Sequence, residues 1–159
     1  KLPGKVVTAA ERVCLAAERQ PSTRVSKHRV DQRFKRVDEA ISMSAMYAAN
    51  HLDIKAIVAL TESGSTPLWM SRIRTAIPVF GLSRHPASLG KMTLYRNVYP
   101  LFFDVTLHQR DEIKREAIDV LERRGFLNSG DMAIITKGDQ DGHYGVTNAM
   151  KIVEVGQVV

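Results

Sequence analysis

The six residues Thr61-Glu62-Ser63-Gly64-Ser65-Thr66 are the stretch of this sequence best suited to chemistry. Thr61, Ser63, Ser65 and Thr66 supply hydroxyls, Gly64 permits close approach to the main chain, and Pro67 follows as the natural first residue of a helix. Hydroxyls and unpaired amides at a positive helix end together solvate a phosphate without any lysine. A plainer reading stays open at this point, in which Thr66 caps the helix and Gly64 turns the chain. The stretch lacks the Gly-Lys-[Ser/Thr] ending of a P-loop and the GxGxxG of a dinucleotide fingerprint.

Two other segments are expected at the same place. Ser83-Arg84-His85 follows a second strand and Lys137 to Thr147 follows a fourth, so Arg84 and Lys137 serve as candidate counter-charges. His143, Tyr144 and Gly145, in the loop between the last two strands, are candidate ligand contacts. His28, His51 and His108 are scattered without metal-ligand spacing, and no metal site is expected. The single cysteine, Cys14, lies in an apolar helical pattern and reads as an inert core thiol. No Ser-His-Asp arrangement on a nucleophile elbow and no assignable carboxylate pair is present, so the residues favour binding over catalysis.

The elements that would position this loop follow from periodicity. Val6, Val7, Ala10, Val13, Cys14 and Ala17 recur at helical spacing until Pro21. After a basic linker, a second helix is expected with Val37, Ala40, Ile41, Ser44, Tyr47, Ala48 and Leu52 on its buried stripe. Ile54 to Leu60 reads as a strand buried on both faces, and the loop opens a helix running from Pro67 through Arg74. Strands at Ile77 to Leu82, Val98 to Phe103, Met132 to Thr136 and Ala149 to Val155 alternate with helices at Pro86 to Met92 and Asp111 to Arg124. Only Gly138 to Thr147 separates the last two strands, too short for a crossover helix. The fold class is therefore α/β: a three-layer sandwich with a five-stranded, mostly parallel sheet, an antiparallel last strand at an edge, and helices on both faces.

With 159 residues, 44% hydrophobic and 25% charged, the chain has the makeup of one globular domain rather than a disordered segment. No apolar run is long enough to span a membrane and no secretory leader is visible, so the expectation is a cytoplasmic protein without a membrane partner. The net charge of +6 admits an anionic partner. Much of it sits in Gln20 to Arg36, which lacks the stacking aromatics of an RNA binder, so no nucleic-acid partner is expected. The division expected is 1–36, a helix and basic linker, and 37–159, the α/β domain.

Several motifs, taken in order, closely resemble one family. Val25-Ser26-Lys27-His28-Arg29, Ala40-Ile41-Ser42-Met43-Ser44-Ala45, Thr61 to Thr66, Ser71-Arg72, Pro78-Val79, Ser83-Arg84-His85, Ser129-Gly130-Asp131 and Thr147-Asn148 resemble the carboxy-terminal domain of bacterial pyruvate kinase, of the type activated by AMP or sugar monophosphates. The resemblance implies a regulatory and oligomerisation domain whose phosphate loop matches Thr61 to Thr66, with the loop between the last two strands closing over the effector. It implies a catalytic barrel as partner, a homotetramer, and magnesium, potassium and ADP/ATP as cofactors of the full enzyme, with none held by this segment. Ser65 stands where many members carry Arg, and Lys137-Gly138-Asp139 stands where fructose-bisphosphate-activated members carry Gly-Trp. The first difference removes a charge from the loop, and the second implies a monophosphate rather than a bisphosphate sugar as effector. The rival reading from the residues alone is a sugar-phosphate isomerase-type domain, which also opens a helix with a Ser/Thr/Gly loop.

Overall fold

In a computed structural model of the chain, residues 2–20, 33–138 and 147–157 are described. Helix α1 (Pro3–Glu18) begins with Pro at its first turn and leaves Val6, Val7 and Val13 exposed. Cys14 is exposed on the same helix, so the expectation of a core thiol is not met. The next elements are α2 (Val37–His51), β1 (Ile54–Leu60), α3 (Ser65–Ser71), β2 (Val79–Ser83), α4 (Pro86–Met92), β3 (Val98–Phe102), α5 (Ile113–Arg123), β4 (Met132–Lys137) and β5 (Ala149–Glu154). A single 3-10 turn, Val105–Leu107, lies between β3 and α5.

The sheet has the order β3-β2-β1-β4-β5, parallel throughout except for β5, which pairs antiparallel with β4. The expected α/β sandwich is thus the one observed. Alternation along β1 divides the core into two layers. Ala56, Val58 and Leu60 face α5 together with Phe80, Leu82, Ile135 and Val153. Ile57 and Ala59 face the other way, onto Met46 of α2, Met70 of α3 and Met92 of α4. On α5 the buried residues Ile113, Ala117, Ile118 and Leu121 form one stripe. Its end is closed by Gly125 at φ 74°, with the Phe126 amide donating to the Leu121 carbonyl at 2.9 Å.

Three other local expectations change. The buried face of α2 is Asp38, Ser42, Ala45, Met46 and Ala49, while Val37, Tyr47 and Leu52 of the expected stripe are exposed. A paired carboxylate and small side chains let α2 lie close against α3, which outweighs the burial of the larger residues. Helix α3 starts at Ser65 and stops at Ser71 rather than running through Arg74, and its N-cap is Gly64 in the left-handed conformation rather than Thr66. Strand β2 starts at Val79, because Pro78 has no N–H to donate and serves instead as the acceptor for the Ile57 amide at 3.0 Å.

This topology makes a switch point. From β1 the chain moves outward to β2 and β3, then returns to the other side of β1 as β4. Neighbouring strands β1 and β4 therefore send their next connections in opposite directions, and their carboxyl ends border the crevice where open α/β sheets collect ligands.

Candidate functional site

The loop after β1 occupies that crevice. Gly64 has φ 79°, which a side chain rarely adopts, and a Cβ there would come 3.2 Å from Met92 Cγ of α4. The glycine is thus required by the turn and by helix packing. Inside the loop the Gly64 amide donates to Thr61 Oγ1 at 3.0 Å and the Ser65 amide donates to Ser63 Oγ at 3.3 Å. As acceptors, the Thr61 and Ser63 hydroxyls keep their own protons for an outside partner.

The other two hydroxyls are engaged. Ser65 Oγ donates to Asp38 Oδ2 at 2.9 Å, and Thr66 Oγ1 lies 2.6 Å from Thr147 Oγ1, both threonines being buried. The second contact joins residues 81 positions apart and fastens the end of the β4–β5 connection onto α3. Ser42 Oγ, in the same layer, donates to the Asp38 carbonyl at 2.6 Å.

Two carboxylates border the loop, and each is neutralised. The Glu62 carboxylate meets Arg84 Nε at 3.3 Å and His85 Nε2 more closely still. Its backbone carbonyl accepts from Ser88 Oγ at 2.7 Å. Asp38, only 1% exposed, receives Arg36 Nε at 2.8 Å and Nη2 at 2.7 Å, plus the Glu39 amide at 3.0 Å. Burial pushes the Asp38 carboxyl up, but hydrogen bonds from Arg36 and Ser65, the Arg36 charge and the Glu39 amide together outweigh it and hold the group below its ordinary value. With both carboxylates paired, the crevice does not repel an anion as two bare acids would.

The expected residues do not all converge. Thr61 to Thr66 and Arg84 come together, although Arg84 is spent on Glu62 rather than left as a simple counter-charge. Lys137 ends β4 but lines a different cavity of about 550 Å³, shared with Arg110, Lys114 and Lys151, beside the α5 layer. His143, Tyr144 and Gly145 lie outside the described residues. Sequence reasoning missed Arg36 and Asp38, and it named Thr147 only as the end of the segment after β4, without its pairing to Thr66. The one local signal for Asp38 was an acid in the first turn of a helix, which is common and uninformative. Thr136 was also missed: its hydroxyl, at the end of β4, is buried without a hydrogen-bond partner among the described residues.

Residues 39–153, which contain this loop and all of the sheet but its last residue, match the family model described as "Pyruvate kinase, alpha/beta domain". The chain belongs to that family. It is 47% identical over 154 residues to "Pyruvate kinase II" of Salmonella typhimurium, covering 96% of this chain and 32% of that protein. Against "Pyruvate kinase" of Buchnera aphidicola subsp. Baizongia pistaciae it is 45% identical over 156 residues, covering 98% of this chain and 32% of the relative. A more distant relative, "Pyruvate kinase" of Geobacillus stearothermophilus, is 28% identical over 151 residues, 94% of this chain and 26% of that protein. The chain thus spans about a third of the length of the first two relatives and matches the carboxy-terminal domain of bacterial pyruvate kinases. That domain alone is not the catalytic one. Among the described residues no group of three or more His, Cys, Asp or Glu is placed to hold a metal ion, and no helix is long and apolar enough to cross a membrane.

Proposed function

We propose that residues 37–159 are the regulatory and assembly domain of a longer pyruvate kinase, and that the loop Thr61 to Thr66 takes the phosphate of an allosteric monophosphate such as AMP or a sugar phosphate. The observation that carries this reading is the loop's position at the carboxyl ends of β1 and β4, with its two bordering carboxylates neutralised and the Thr61 and Ser63 hydroxyl protons uncommitted. The bond between Thr66 and Thr147 supports a role for the β4–β5 connection in the same site, because it anchors one end of that connection to α3. Residues 1–36 are then the helix and basic linker leading from a catalytic barrel. The apolar residues left exposed on α1 support that connecting role.

In the longer enzyme the barrel converts phosphoenolpyruvate and ADP to pyruvate and ATP, using magnesium and potassium held in the barrel. The β5 edge and α1 and α2 are surfaces for assembly with further copies. Calorimetry on the 159-residue chain tests the regulatory reading directly. AMP, glucose 6-phosphate or ribose 5-phosphate gives a saturable heat that inorganic phosphate competes away, whereas the chain turns over no phosphoenolpyruvate. No saturable heat with any of the three overturns the effector site.

A further inference from the structure

Asp38 is a buried carboxylate that enters the effector reading only as a neutralised neighbour of the loop. It lies on α2, 27 residues before Ser65, yet it accepts the Ser65 hydroxyl proton at 2.9 Å, and Arg36 reaches it with a two-pronged contact at 2.8 and 2.7 Å. A serine hydroxyl has one proton to donate. While Asp38 holds that proton, Ser65 has none to offer the unprotonated oxygens of a phosphate. An anion entering the loop therefore meets a second anion already bound to one of the loop's own donors.

We propose that Asp38 is a positioning residue of the anion loop and that Arg36 governs how strongly Asp38 opposes an incoming anion. This rests on reading the loop as an anion site. With Arg36 seated, the carboxylate is neutralised by a guanidinium in a geometry suited to both oxygens. With Arg36 withdrawn, Asp38 faces the loop as an uncompensated charge and claims the Ser65 proton more strongly. Arg36 is half exposed, its side chain at 52%, and stands just ahead of α2, in the segment arriving from residues 1–35. Anion binding in the loop and the seating of that segment are consequently linked, and the linkage acts equally in both directions. The effect reaches the linker through two side chains, with no change of fold required.

The test is a set of titrations of the 159-residue chain with inorganic phosphate, followed by amide chemical shifts of Thr61 to Thr66. Arg36→Ala weakens phosphate roughly fivefold, because a bare carboxylate now borders the loop. Asp38→Asn keeps an acceptor for Ser65 but removes the charge, and it tightens phosphate by about the same factor. In the Arg36→Ala/Asp38→Asn double variant the Arg36→Ala penalty disappears, and Arg36→Lys, which keeps the charge but not the two-pronged contact, recovers only part of the loss. A purely structural role predicts instead that both single changes weaken binding and that their losses add. Wild-type binding with additive losses in the double variant overturns this inference and leaves the loop reading intact. If phosphate shifts none of Thr61 to Thr66 in the wild-type chain, the loop reading falls and this inference falls with it.

Discussion

The two faces of the sheet are built on different terms. Beneath α5 the layer is apolar throughout, with Ile113, Ala117, Ile118, Leu121 and Leu127 packed on Val58, Leu82 and Ile135. Beneath α2, α3 and α4 the layer carries buried polar groups among its apolar ones: Asp38, Ser42 and Thr66 on α2 and α3, and Ser88 on α4. An apolar layer is stabilised in proportion to the area it hides, through contacts that have no preferred direction. A layer whose hydrogen bonds must each be met is stabilised less per residue but fixes the relative position of its elements. The α5 face thus supplies stability, and the α2–α4 face supplies the geometry of the loop.

The largest expected effect lies on the α5 side. Leu121→Ala leaves a cavity in the apolar layer and lowers unfolding free energy by about 2–5 kcal/mol. Denaturation by urea measures it, and the same variant's amide spectrum should leave Thr61 to Thr66 in place. A shift of the loop in that variant would break the division between faces. On the other side, Thr66→Val strands the buried Thr147 hydroxyl and costs about 1–3 kcal/mol. Thr66→Val/Thr147→Val removes both partners and should cost less than the single change. Urea denaturation of the pair checks this, and a double variant worse than the single would mean the contact is not the isolated pair described here.

Acid sharpens the same comparison. The Asp38 carboxyl is held below its ordinary value in the folded chain, so the unfolded chain binds its proton more readily. Its contribution is therefore full at neutral pH and is lost as pH falls below about 4, through the depressed folded value. Asp38→Asn should flatten that acid limb in a pH series of melting temperatures, whereas Leu121→Ala should lower the whole curve without altering its shape. The smallest effect is expected on the solvent side of α5. Arg115 and Glu112 form an exposed pair at 2.9 Å, and Arg115→Ala should move stability by no more than about 0.5 kcal/mol in the same melts.

The same contrast explains what could be read before the structure. Strand β1 and helix α4 have the bounds expected from sequence, because their signals are local: a β-branched apolar run, and a Pro at a helix start. Helix α5 also lies where expected, starting two residues later and ending one earlier than Asp111 to Arg124. The face of α2 was misread because periodicity counts apolar residues, and here a buried acid stabilised from Arg36 and Ser65 sets the orientation. In the candidate site, Thr61 to Thr66 and Arg84 were legible as a loop and a following strand end meeting at one sheet edge. The partition of the hydroxyls was not legible. Which of them keep a proton depends on Asp38 and Thr147, residues 27 and 81 positions away in the chain, and no local pattern marks such pairings.

On the proposed reading, one face of this sheet holds an anion loop and the other only stabilises it. Amide chemical shifts of the 159-residue chain, mapped while ribose 5-phosphate is added, test it most directly. Saturable shifts are expected at Thr61 to Thr66, at Arg84 and His85, and at Asp38 with its neighbour Glu39, while Ile113 to Leu121 stay still. Shifts concentrated along α5 and β5, or none in the loop at saturation, would contradict it.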